Sequence, residues 1–383
     1  MGKTLVITND FPPRMGGIET FVNELTSRLE PSQLVVLTAS MPGGGDFDAG
    51  LDFPVHRMAT STLLPTRAVR REAERLIDAY RCDSVWFGAA ATLGLLAPAL
   101  RRTGRVRRIV ASTHGHERTW ARIGAGRLVL RRIAGAVDVL TYISEPVRAS
   151  LTTAMPASPP SLVRLTPGVN LEAFTPDDGG GASDRVRRQF GLGTGAVVVC
   201  VSRLVTLKGQ DVLLRAWPAV LRAHPDATLL LVGGGPRRRA LTALAERLRI
   251  AGSVRFAGPQ PYSAIPEIYA AASVAALPTR PVAAGLVTEG LGAVTLEASA
   301  SGLPVIVGRT GGAVEAVQDG VTGFIVDPRD AHMVAARITE LLETPPRATA
   351  MGAAGRAWMA AEWNWRTRAE TLAGLLDPDT PVP

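Results

Sequence analysis

Lysine is nearly missing from this chain, which has 2 Lys against 40 Arg in 383 residues. Cysteine is as scarce: only Cys82 and Cys200 occur, both beside apolar strand-like stretches. Two such thiols argue against a disulfide framework and fit a reducing cytoplasm. No apolar run reaches the ~18 to 20 residues that a membrane span requires. The longest candidate, Ala89 to Leu100, is broken by Gly94 and Pro98. Met1-Gly2-Lys3 leads straight into a strand-like run without the apolar core and cleavage site of a secretory signal. Several motifs are also missing: Gly-x-Gly-x-x-Gly, a Walker loop, a Ser-His-Asp context, and helix-turn-helix or zinc-finger spacing. These absences argue against dinucleotide, P-loop and serine-hydrolase chemistry, and nucleic acid is not an expected partner.

The charge that is present is unevenly placed. The net charge is +8, yet residues 67–132 alone hold 15 Arg against 5 Asp or Glu. Arginine-rich composition is what a GC-rich genome produces, so the argument rests on clustering. A clustered basic surface attracts anions such as phospholipid headgroups or phosphorylated substrates.

A chain of this length exceeds one ordinary core, so two domains are expected. Short β-branched runs alternate with helical stretches at Thr4 to Thr8, Leu34 to Ala39, Ser84 to Phe87, Arg108 to Ser112, Val137 to Tyr142 and Leu162 to Leu165. A loop-like segment, Thr175 to Ser183, follows. The alternation then restarts at Ala196 to Val201, Thr228 to Val232, Val254 to Phe256, Val274 to Leu277, Pro304 to Val307 and Phe324 to Val326. The pattern predicts an α/β protein of two doubly wound, Rossmann-like domains facing a cleft, with ligands at the carboxyl ends of the strands. The expected bounds are 1–178 and 185–356, with a C-terminal helix of about 357–376 crossing back to the first domain.

Candidate binding residues lie where those strands end. Arg203 and Lys208 follow the strand Ala196 to Val201, and Gly209 and a helix come next. A bidentate guanidinium and a compact ammonium suit a diphosphate. Glu289 and Glu297 enclose a loop running into a helix. Its glycines, Gly290 and Gly292, let a ligand approach, while amides at the helix start, at Ala293 and Val294, can face phosphate. Glu297 can reach a ribose diol, and Glu289 the hydroxyls of a sugar. Gly16 and Gly17 open the first helix and present amides to a phosphate or sugar. His114, in Ser112-Thr-His-Gly-His-Glu117, is a candidate to hydrogen-bond a sugar or a leaving phosphate. His-x-His lacks further ligands at zinc-like spacing. Asp46-Phe-Asp48 and Asp377-Pro-Asp379 read as flexible loops, so no metal is expected.

Taken together and in this order, these motifs resemble glycosyltransferase family 4: Gly-Gly-Ile-Glu after the first strand, Ser-Arg-x(4)-Lys-Gly, Val-Gly-Gly-Gly-Pro at 232–236, and Glu-x(7)-Glu. Asn9-Asp-Phe-Pro-Pro-Arg, Ala111-Ser-Thr-His-Gly-His-Glu, Glu289-Gly-Leu-Gly and Met351-Gly-Ala-Ala-Gly-Arg are similar to segments of actinobacterial phosphatidylinositol monomannoside mannosyltransferases. The resemblance implies a GT-B fold and a retaining enzyme that moves mannose from GDP-mannose, without cofactor or metal, to an inositol hydroxyl of a phosphoinositide glycolipid. It further implies a cytoplasmic protein, peripheral on the anionic inner face of the plasma membrane. Arg203, Lys208 and Glu297 would hold the nucleotide diphosphate and ribose, and Glu289 the mannose. Gly16, Gly17 and His114 would meet the diphosphate or sugar from the first domain. Two departures stand out: Glu19 replaces a usual Gln, and Arg280-Pro-Val-Ala-Ala-Gly-Leu-Val-Thr replaces the usual loop before Glu289. Other readings are a related transferase acting on a small cyclitol or natural product, a nucleotide-sugar epimerase or phosphorylase, and a non-catalytic lipid-binding protein. Loss of Arg203 or Lys208 is expected to cost turnover more than folding.

Overall fold

The computed structural model describes residues 2–382 apart from Met15, Asp178 and Gly180, so two positions of the expected 175–183 loop, and Met15 in the first strand-end loop, lie outside the described residues. The chain divides into two compact units, Met1–Pro167 with Trp365–Pro383, and Gly168–Asn364. This boundary differs from the one composition suggests. Val169 donates its amide to Trp363 O at 2.8 Å, and the Arg356 guanidinium donates to the carbonyls of Phe174 and Leu171 at 2.6 and 3.2 Å. Those bonds tie residues 168–174 to the second unit. Residues 357–364 stay there too: helix Pro345–Glu362 runs unbroken to 362, and Trp363 and Asn364 pair with Val169.

In the first unit the strands are β1 (Lys3–Ile7), β2 (Leu34–Ala39), β3 (Val55–Met58), β4 (Cys82–Phe87), β5 (Arg108–Ser112), β6 (Val139–Tyr142) and β7 (Ser161–Arg164). They form one parallel sheet of order β3-β2-β1-β4-β5-β6-β7. Every residue of β2 is buried, as expected of a parallel strand covered on both faces. Helix Arg67–Tyr80 starts at Thr66, whose hydroxyl accepts from the Val69 amide. Helix Trp365–Leu376 completes this unit's core, setting Trp365, Leu372 and Leu376 among Val6, Phe21 and Leu25.

Edge strand β3 is a finding the alternation does not predict. It is half-buried throughout and carries His56 and Arg57 in place of an apolar run. Arg57 also corrects the reading of Asp46-Phe-Asp48 as a flexible loop. That segment ends a short helix, Gly44–Asp48, and Asp48 accepts from Arg57 Nε and Nη2 at 2.7 and 2.8 Å. Asp377-Pro-Asp379 is likewise tied down: Asp377 accepts from the Asp379 amide and the Thr380 hydroxyl, and Asp379 pairs with Arg107.

The second unit holds β8 (Val197–Val201), β9 (Thr228–Val232), β10 (Val254–Gly258), β11 (Val274–Leu277), β12 (Val305–Gly308) and β13 (Gly323–Val326), all parallel in the order β10-β9-β8-β11-β12-β13. Trp217, Leu229, Leu231, Ile338 and Met351 centre its core. Both sheets fit the expected doubly wound class. The two cysteines, Cys82 and Cys200, are free and buried, one in each unit, and burial pushes their thiols up to about 12 and about 11.

Helix Pro345–Glu362 lies so close to the turn after helix Ala293–Ala300 that a Cβ on Gly352 would collide with Gly302 O. Gly352→Ala should therefore cost about 1–3 kcal/mol and lower the melting temperature. Gly374→Ala, in a helix with open space at that position, should leave it unchanged or raise it. Thermal unfolding followed by circular dichroism checks the pair.

Candidate active site

In each unit the loops at the carboxyl ends of the strands collect the polar and glycine residues singled out above. In the second unit β8 runs into a loop that ends in a single helical turn, Thr206–Lys208, and then into helix Gln210–Ala223. Gly209 separates them with φ of +71°, and its Cα faces the Pro278 carbonyl so closely that no side chain fits. That approach brings the Lys208 turn against the end of β11, where the Arg280 amide donates to Leu207 O at 2.8 Å. On the other side of the β11 loop, Gly311, at φ +52°, lies against Glu289 O, and the Gly312 amide donates to the same carbonyl at 3.0 Å.

These two contacts determine where the charged side chains meet. Lys208 Nζ lies 2.6 Å from Glu289 Oε2, with 15% and 11% of the side chains exposed. Arg280 Nη2 lies 2.9 and 3.0 Å from the two carboxylate oxygens of Asp211. Two nearly buried ion pairs thus stand side by side in sequence, one on each side of Gly209. Arg203 contrasts with Lys208: its side chain is exposed and makes no ion pair or hydrogen bond among the described residues. Its carbonyl accepts from Gln210 Nε2 at 2.9 Å, and the same amide nitrogen donates to Ser202 Oγ at 2.8 Å, which fixes the backbone from which Arg203 projects.

Gly292 takes the left-handed conformation, φ +87°, and precedes helix Ala293–Ala300. No side chain caps that helix, so the amides of Ala293 and Val294 stay available as donors. Tyr269, buried beneath, donates its hydroxyl to Val294 O at 3.0 Å. Glu297 lies one turn further on and is half-buried. Tyr262 donates to its Oε1 at 3.2 Å, and desolvation by burial outweighs that bond, raising the carboxyl from an ordinary 4.5 to about 8. Gly290 sits between Glu289 and this helix, so the stretch from Glu289 to Glu297 forms one loop-to-helix segment.

In the first unit the same edge holds Gly16, Gly17 and His114. Gly16 is extended and precedes helix Gly17–Thr26, and a Cβ on it would collide with Glu19 Oε2. The Glu19 carboxylate therefore folds back under the helix start, 4.0 Å from Arg14 Nε, while Gly17 faces open space. His114 Nε2 lies 2.7 Å from Gly88 O, and because a carbonyl only accepts, that nitrogen carries the proton. Burial lowers the imidazole's pKa, so the ring is neutral and Nδ1 is an acceptor. Of the two expected roles, this chemistry suits a sugar hydroxyl, which can donate, and disfavours a leaving phosphate, which needs a donor. Phe21, on helix Gly17–Thr26, meets the ring edge-on at 5.0 Å. Glu117 is fully buried and accepts from the amides of His114 and Gly115 at 3.0 Å each, closing the turn that presents the histidine.

Sequence reading therefore singles out the segments but not the pairings. It does not identify Asp211 and Arg280 as partners, Tyr262 as the donor to Glu297, or Gly311 and Gly312 as the clamp on Glu289. Thr310-Gly-Gly after β12 repeats the strand-then-double-glycine pattern of Gly16-Gly17, a signal that could have found the clamp.

Two parallel sheets, one in each unit, with polar and glycine residues after their strands are the elements of a GT-B glycosyltransferase. Residues 183–358 match the family described as Glycosyl transferases group 1, and residues 15–173 match Glycosyltransferase Family 4. The GDP-mannose-dependent α-(1-6)-phosphatidylinositol monomannoside mannosyltransferase of Mycolicibacterium smegmatis is 45% identical over 97% of this chain and 97% of its own. The Corynebacterium glutamicum enzyme named as acting on the monoacylated form is 40% identical over 98% of each chain. The crystal structure of Anabaena HepE in complex with UDP superposes with a TM-score of 0.81 at 20% identity, covering 97% of this chain and 98% of that one. The chain belongs to glycosyltransferase family 4, in the same family as these mannosyltransferases.

A raised carboxyl pKa makes a prediction with a definite sign. The folded state favours protonated Glu297, so that contribution is complete below about pH 4.5 and is lost as pH rises to about 8. Glu297→Gln should melt level with the parent near pH 4.5 and about 2–6 °C above it at pH 8.5. Melting curves across that range check it, and a gap that closes with rising pH contradicts it.

Proposed function

We propose that this protein is a retaining α-(1-6)-mannosyltransferase that moves mannose from GDP-mannose to an inositol hydroxyl of a phosphatidylinositol monomannoside, at the cytoplasmic face of the plasma membrane. The observation that carries this reading is the 45% identity to a mannosyltransferase of that name over 97% of both chains. In support of a peripheral attachment, no helix among the described residues is long and apolar enough to cross a membrane.

Bond breaking between the anomeric carbon and the diphosphate leaves positive charge on the sugar and negative charge on the leaving group. In this reading the leaving charge is met by Arg203, by Lys208, and by the amides of Ala293 and Val294, donors that are in place before reaction. Lys208 reaches the diphosphate by exchanging its Glu289 partner for phosphate oxygens. Glu289, released, accepts from the mannose hydroxyls, so one exchange arms both residues. Gly290 and Gly292 give the diphosphate access to that backbone. Glu297, carrying its proton, accepts from one hydroxyl of the ribose diol and donates to the other. His114 Nδ1 accepts from a sugar hydroxyl, and Gly16 and Gly17 offer amides from the first unit. The acceptor hydroxyl attacks on the face from which the diphosphate departs, and its proton passes to that leaving phosphate, which accounts for retention without a protein nucleophile. No metal or other cofactor enters this scheme.

The direct test is incubation with GDP-mannose and phosphatidylinositol monomannoside, expected to give the dimannoside. Faster transfer from UDP-glucose, or conversion of GDP-mannose to another sugar nucleotide without acceptor, overturns the reading. The two cations should separate in their variants. Arg203→Ala is expected to lower kcat about 100- to 1000-fold with the melting temperature unchanged. Lys208→Ala is expected to lower kcat comparably and also to destabilise the fold, by about 3 kcal/mol or more, because Glu289 is left unpaired in a site with 11% exposure. Chemical denaturation beside steady-state kinetics distinguishes them.

A further inference from the structure

Much of the arginine excess in residues 67–132 is consumed within the first unit. Arg75 pairs with Glu72, Arg101 with Asp138, Arg105 with Asp78 and Arg107 with Asp379, while buried Arg108 donates to Thr380 O. One stretch differs. From residue 118 to residue 137 there are five arginines and no Asp or Glu. It forms two consecutive helices, Glu117–Arg122 and Gly124–Ala134.

The inner side of this pair is held by a small cluster of its own, Ala121, Leu130 and Ala154 with Trp120 beside them. Gly126 permits it: a side chain there would press on the Trp120 backbone, 2.6 Å from its carbonyl oxygen. The outer side is unusual for a water-facing surface. Leu128 is 70% exposed and Ile123 52% exposed. An open apolar hollow beside them is lined by Trp120, Ile123, Ala125, Gly126 and Val129. On a helix, residues three and four positions apart share a face, so Arg131 and Arg132 flank Leu128 on one side, with Arg127 adjoining it. All three are exposed, and none pairs with a carboxylate among the described residues. Arg127 and Arg131 use only Nε internally, donating to Ala121 O and Met155 O.

Apolar side chains projecting between unpaired cations match the layering of a bilayer surface, hydrocarbon below and phosphate above. We propose that helices Glu117–Arg122 and Gly124–Ala134 form the surface by which the first unit docks on an anionic membrane, with Ile123 and Leu128 entering the interface and Arg127, Arg131 and Arg132 meeting lipid phosphates. This rests on the reading that the acceptor is a phosphoinositide lipid, and it specifies which face is presented to it. Charge complementarity selects the occupant: a neutral apolar partner would leave three arginines desolvated without counter-charges.

The test is co-sedimentation of the intact protein with vesicles of phosphatidylcholine alone, or with about a third phosphatidylglycerol, in the absence of donor and acceptor. The parent is expected to bind the anionic vesicles, less so at high salt. Leu128→Asp, and Arg131→Gln with Arg132→Gln, should each weaken binding about 10- to 30-fold. Melting curves should match the parent because these side chains are exposed, and Leu128→Gln serves if the Asp variant misfolds. Transfer to a water-soluble short-chain acceptor should be unaltered in all of them. Retained vesicle binding by the variants, or absence of binding by the parent, overturns the docking surface. Failure of the mannosyltransferase reading shows separately, as loss of transfer by the parent with vesicle binding intact.

Discussion

The strand-end loops of the second unit can come together only because backbone atoms approach where a side chain would stand. Gly209 against Pro278 and Gly311 against Glu289 are two such approaches. From them follows the 2.6 Å contact between Lys208 and Glu289, residues brought together from opposite ends of half the unit. A nearly buried ion pair costs desolvation that the Coulomb attraction only partly offsets, so it is weak evidence for stability. What it holds is a cation and an anion already stripped of most of their water, and in the proposed reaction Lys208 exchanges its partner for phosphate oxygens and Glu289 for sugar hydroxyls.

The parallel pair of Arg280 and Asp211 fixes the loop that leads to Glu289. That loop is also a segment expected to depart from the resembled family. Its consecutive left-handed residues Ala283 and Ala284, closed by the Val282 and Val287 bridge, give it a turn of its own. The loop's interior can therefore vary while its ends remain pinned, at Arg280 by Asp211 and at Glu289 by Gly312.

What sequence makes legible follows from burial. Parallel strands covered on both faces must be continuous apolar runs, so β2, β8 and β9 stand out without any knowledge of partners. β3 does not, because an edge strand tolerates His56 and Arg57, and its identity depends on pairing with β2. The domain boundary was similarly hidden: a glycine-rich segment suggests a break, but the chain changes units where Val169 bonds Trp363, and backbone bonds leave no compositional trace. At the site, residue types with a fixed neighbourhood were readable, such as lysine and glycine after a strand. Pairings between loops were not, since Lys208 and Glu289 each look like a free ligand-binding group until the fold places them in contact. Tyr262 was silent for the same reason, as its importance to Glu297 arises from proximity alone.

The first unit is discontinuous, and the order of synthesis gives that fact a consequence. Residues 1–167 contain all seven of its strands, but its core is finished by Trp365, Leu372 and Leu376. The second unit is one unbroken segment, 168–364, and can close on itself as it leaves the ribosome. The first begins earlier along the sequence, yet Phe21 and Leu25 lack part of their cover until residues 365–376 are present. The unit that starts earlier along this sequence thus needs the later segment to complete its core.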